Sequence, residues 1–96
     1  MKAPEGNIHV FVLISQKNGR FFFGQTIDIR RALAVYNLGK SDFTRINAPL
    51  ALFASKAFEN RTDAMKMEQE LRKRKSEDDL LRYLFYNSFV INDDRK

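Results

Sequence analysis

The sequence predicts an α+β domain, a small three-stranded antiparallel sheet flanked by helices in the order β-β-α-β-α-α. Three observations carry the prediction. A run from Asn7 to Ser15 puts Ile8, Val10, Val12 and Ile14 on one face and Phe11 and Leu13 on the other, the pattern of a central strand covered on both sides. Asn18-Gly19 then supplies a hairpin signal ahead of the apolar run Phe21–Phe23. Beyond position 60, apolar residues recur at helical spacing behind side chains suited to capping.

The chain predicts one domain. At 96 residues it can form one core without covalent staples, and its 44% apolar content, nine Phe included, is too high for disorder. It holds no Cys, which excludes disulfides and thiolate metal sites and suits a reducing compartment. His9 has no second His or Cys at ligand spacing. No apolar run approaches the ~20 residues that span a bilayer, and the N-terminus shows no signal region, so the expectation is a cytoplasmic protein without membrane contact. Seventeen Lys and Arg against twelve acids give a net charge of +5, which favours a polyanionic partner.

Residues 1–6, with Pro4 and Gly6, read as a flexible tail, residues 7–86 as the domain and residues 87–96 as a C-terminal tail. The strand at 20–24 pairs back on the first. Asp28 suits the N-cap of a helix reaching about residue 38, with Gly39 as its stop and Ile29, Leu33 and Tyr36 facing the core. A polar loop follows over 40–48, then a third strand from Leu50 to Phe58. Asn60 or Thr62 caps a second helix running through Ala64, Glu68 and Leu71 to Lys75. Ser76 and Asp79 cap a third, with Leu80, Leu81, Leu84 and Phe85 as its apolar positions.

In order and spacing, these signatures resemble the GIY-YIG nuclease superfamily, over roughly residues 8–86. His9-Val10-Phe11-Val12-Leu13 stands at the first motif and Phe22-Phe23-Gly24-Gln25-Thr26 at the second. Asp28–Leu33 and Asn37–Lys40 fit the following helix and its end, and Thr62–Lys73 fits the helix that carries the family's acidic residue. The resemblance implies metal-dependent phosphodiester hydrolysis. It uses two strand tyrosines, a helix arginine, a His or Tyr one turn later, and a glutamate holding one Mg²⁺ or Mn²⁺.

Carried over position by position, Glu68 keeps the metal-binding carboxylate and Tyr36 keeps a hydroxyl, but Phe11, Phe22 and Ala32 replace the two tyrosines and the arginine. Gln25 stands where some members have a basic residue. Losing a positioning or base group typically costs ~10²–10⁴ in rate, and a charge-stabilising donor ~10²–10³. These losses do not multiply within one catalytic unit, yet three together leave little of an ordinary nuclease. Arg31, about 100° around the helix from Ala32, points off that face.

Arg72-Lys73-Arg74-Lys75 is the densest basic cluster, with Arg30, Arg31, Lys40 and Arg45 as further candidates for phosphate contact. The same run also suits a helix C-terminus, and Glu68 with Arg72 also reads as a plain i,i+4 pair. The expectation is a nucleic-acid-binding domain, DNA favoured, that is inactive or severely impaired as a nuclease. One alternative is an active endonuclease with a remodelled site, or an engineered knock-out of one. Another is a protein-interaction or inhibitor module that kept only the fold.

Overall fold

The computed structural model describes residues 7–38 and 42–92. Its elements are β1 (Ile8–Ser15), β2 (Phe21–Thr26), α1 (Ile29–Asn37), α2 (Asp42–Asn47), β3 (Leu50–Phe58), α3 (Arg61–Arg72), α4 (Glu77–Tyr86) and β4 (Val90–Ile91). They form an antiparallel sheet in the order β2-β1-β3-β4, flanked by helices.

β1 is the spine because it is apolar on both faces. Ile8, Val10, Val12 and Ile14 are buried with Phe53 and Ala54 of β3, Ala64 and Leu71 of α3, and Leu80 and Leu84 of α4. Phe11 and Leu13 are buried on the opposite face with Leu50, and Phe22, Ile29, Ala32, Leu33 and Tyr36 pack around them. Alternation therefore sorts the aromatic run of β2. Phe21 and Phe23 join the larger core, where Phe21 meets Phe53 edge-to-face at 5.0 Å, while Phe22 joins the smaller cluster under α1.

Local chemistry sets the connections. Gly19 takes a φ of 77° in the β1–β2 turn. The Ser15 hydroxyl accepts from the backbone N–H groups of Lys17 and Asn18 and donates to the Asn47 carbonyl, which ties that turn to the end of α2. The side chains of Asp28, Asn60 and Ser76 each accept from the backbone N–H three residues on, capping α1, α3 and α4. Asn60 rather than Thr62 is thus the cap of α3. Asn37 donates to the Leu50 carbonyl at 2.9 Å and accepts from the Leu50 N–H at 2.7 Å, fixing the end of α1 to the start of β3.

Several expectations change. The sheet has four strands rather than three, because the start of the C-terminal tail, where brief docking was expected, adds a strand. Phe89 is buried in the larger core, and Ile91 and Val90 pair with Ala54 and Ser55. A two-residue strand carries no periodicity, so no pattern announces it. The 40–48 loop contains the short helix α2, with Asp42 in its first turn and Arg45 in its last, joined by an ion pair. Of the apolar positions expected on α4, Phe85 is 72% exposed, since Leu80 and Leu84 occupy the inward stripe. The first-helix stop at Gly39, the tail at 1–6 and the end of the C-terminal tail lie outside the described residues.

Gly24 is required by contact rather than by conformation. It sits opposite Phe11 across the β1–β2 ladder, and a Cβ there would lie 2.6 Å from Phe11 Cζ. The Phe11 ring has little room to yield, since the residue is 3% exposed and meets Tyr36 edge-to-face at 6.2 Å. Gly24→Ala is therefore expected to destabilise the fold by about 1–3 kcal/mol in urea denaturation. Adding Phe11→Leu should recover part of that loss, and strict additivity of the two changes would contradict the contact.

Candidate functional site

The structure brings four of the expected site positions together. Phe11 from β1, Phe22 from β2, and Ala32 and Tyr36 from α1 meet in the smaller apolar cluster. The spacing explains the meeting: Ala32 and Tyr36 are one turn apart on α1 and face the sheet together. Beside them lies a groove of about 400 Å³ lined by Phe11, Leu13, Phe22, Tyr36, Leu50 and Arg72, among others. Phe11 is its buried floor. Among the described residues no hydrogen-bond partner engages the Tyr36 hydroxyl.

Glu68 does not line that groove. It lies on the inward stripe of α3, one turn after the buried Ala64 and three residues before the buried Leu71, and its side chain is 16% exposed. A half-buried carboxylate needs partners, since losing water without replacement is costly. Here both oxygens are engaged. Gln25 Nε2 donates to Oε1 at 3.0 Å and Arg72 Nη2 donates to Oε2 at 2.5 Å. Gln25 in turn accepts from Arg61 Nη1 at 3.0 Å, so Arg61, Gln25, Glu68 and Arg72 form one chain of donors and acceptors along β2 and α3. The i,i+4 pairing expected for Glu68 and Arg72 is present.

Arg72 links this chain to the groove. Its Nη2 also donates to the Phe23 carbonyl at 3.1 Å, and the guanidinium lies 5.8 Å from the Phe23 ring centroid. Gln25 and Arg61 are the partners that sequence reasoning missed. The available signal was alternation, which turns Gln25, paired with Val10, toward the α3 face, where only a polar neighbour would suit it.

The basic cluster divides on inspection. Arg74 is turned inward: it spans Glu70 and Asp79, lies 4.4 Å from the Tyr83 ring centroid, and its side chain is only 24% exposed. Lys73 pairs with Glu70 at 3.2 Å and Arg45 with Asp42. Arg30, Arg31 and Lys75 are exposed, and among the described residues none of their side chains makes an ion pair. Lys40 lies outside the described residues.

Residues 7–80 match the model of the GIY-YIG catalytic domain, which covers both motif strands, α1 and the helix of Glu68. The chain belongs to the GIY-YIG family. Members of this nuclease-like family typically bind nucleic acids. The domain is 35% identical to a UPF0213 protein of Streptococcus pneumoniae over 62% of this chain and 61% of that protein. It is 31% identical to a UPF0213 protein of Bacillus licheniformis over 72% of each chain, and 35% identical to one of Streptococcus agalactiae over 70% of this chain and 76% of that protein. The pneumococcal match thus spans about three-fifths of that relative's length. No solved structure matches the chain significantly. Among the described residues of this GIY-YIG domain, no helix is long and apolar enough to cross a membrane.

Gln25→Ala should cost about 1–2 kcal/mol in chemical denaturation, because it removes one donor from a half-buried carboxylate and the acceptor used by Arg61. A change within ~0.5 kcal/mol, the level of ordinary surface substitutions, would mean that the chain of contacts contributes nothing to the fold.

Proposed function

We propose that this GIY-YIG domain binds nucleic acid, DNA in the first instance, and does not cut it. One observation carries the reading. Where the family resemblance places two hydroxyls and a guanidinium, Phe11, Phe22 and Ala32 instead pack against one another and Tyr36. The Phe side chain offers no hydrogen-bonding group and Ala no charge, so no side-chain atom at these positions can orient a water or neutralise a phosphate.

The residues present also do not fit a divalent cation at Glu68. The Glu68 carboxylate already accepts from Gln25 and Arg72, so a cation there would have to displace a guanidinium. Binding is supported by the net charge of +5 and by the exposed Arg30, Arg31 and Lys75. Charges of this kind contact phosphate without reading sequence.

A second reading is favoured by one observation. Arg72 lines the groove with Phe22 and Tyr36, so a displaced guanidinium is available to a remodelled nuclease site. A plasmid-nicking assay with Mg²⁺ or Mn²⁺ separates the two. The binding reading expects no metal-dependent nicking. Nicking that disappears in both Glu68→Ala and Arg72→Ala establishes the remodelled enzyme instead. Duplex affinity measured against salt should fall linearly in log–log form, with a slope of about one per phosphate contact. Affinity that ignores salt would favour a protein-interaction module.

A further inference from the structure

We propose that the groove under α1 is a socket for one unpaired nucleotide of a DNA strand, its base against Phe22 and Tyr36 and its phosphate on Arg72. The inference rests on the nucleic-acid reading above and goes beyond it, since phosphate contact alone needs no pocket. Four features of the groove point to this occupant.

Its volume, about 400 Å³, lies within the range of clefts that hold small ligands, ~300–1,000 Å³. Apart from Arg72, its described lining side chains are aromatic and aliphatic, with Phe11 as the buried floor and Phe22, Tyr36 and Leu50 around it. Such surfaces accept the face of any base and so need no sequence readout. Among the described residues its charge is one guanidinium, that of Arg72, whose side chain is 55% exposed. Arg72 is held by the Glu68 carboxylate and the Phe23 carbonyl through Nη2, and the remaining donors of its five-proton fork are open to a phosphate. The Tyr36 hydroxyl, without a partner among the described residues, adds one group able to donate to or accept from a base edge.

A neutral apolar ligand would leave Arg72 unused. A paired base is stacked within its duplex and enters such a pocket only if extruded, at an energetic cost that an unpaired base avoids. The groove therefore discriminates for single strands or strand ends, whereas Arg30, Arg31 and Lys75 contact backbone of either kind.

The test is fluorescence anisotropy on the full chain with three labelled DNA ligands of equal length: a single strand, the same strand with abasic sites throughout, and the duplex. The single strand is expected to bind about tenfold more tightly than the abasic strand, the scale of one base stacked on an aromatic side chain, and more tightly than the duplex. Phe22→Ala should erase the difference between intact and abasic strands while leaving abasic affinity in place. Arg72→Gln should weaken the intact and abasic strands alike. Circular dichroism establishes that each variant folds, and if Phe22→Ala does not, the three ligands on the unaltered chain still decide. Equal affinity for intact and abasic strands, or a preference for duplex, overturns the socket and leaves the binding function standing. Absence of salt-dependent binding to all three ligands overturns both.

Discussion

The Phe11 ring is the constraint on which this face of the molecule depends. It lies across Gly24 so closely that no side chain fits there, and it meets Tyr36 edge-to-face from below α1. That one ring bars a side chain at Gly24, gives α1 an apolar surface to rest on, and forms the floor of the groove. A phenol at this position would present a hydroxyl there. Phenylalanine presents only carbon, so the atom that seats the helix is also the atom that ends hydroxyl chemistry at this position.

Glu68 is likewise engaged within the protein. A carboxylate on the inward stripe of α3 is costly unless it is met by donors, and Gln25 and Arg72 meet it. Their contacts satisfy both oxygens and tie α3 to the edge strand β2, so the residue most readily read as a metal ligand has a structural occupation. Arg72 joins the two regions: it holds Glu68 on one side of β2 and enters the aromatic groove on the other. The domain thus keeps a cation beside a groove with aromatic walls.

Much of this was legible in the sequence. The two apolar faces of β1 could be read directly from alternation, and the caps at Asp28 and Ser76 from residue type. The shared helix face of Ala32 and Tyr36 followed from the helix period, while their meeting with Phe11 and Phe22 was implied by the family resemblance. What escaped was short or long-range. β4 is two residues long and exists because Phe89 is buried beside it. α2 is a six-residue helix inside a segment whose composition reads as loop. The basic run at 72–75 looks uniform in sequence but divides by direction, because the packing of Tyr83 and Asp79 beside it turns Arg74 inward while Lys75 stays in solvent. Gln25 and Glu68 are 43 positions apart, and no local rule pairs them.

The positions where the family resemblance places catalysis form a packed apolar cluster, beside a carboxylate engaged by protein donors. The most direct measurement is a crystal structure of the protein with a DNA strand grown in Mn²⁺, with anomalous scattering recorded at the manganese edge. Glu68 is expected to stay bonded to Gln25 and Arg72, with no anomalous peak beside it. A manganese peak on Glu68 bridging to a DNA phosphate, with Arg72 swung away, would contradict it.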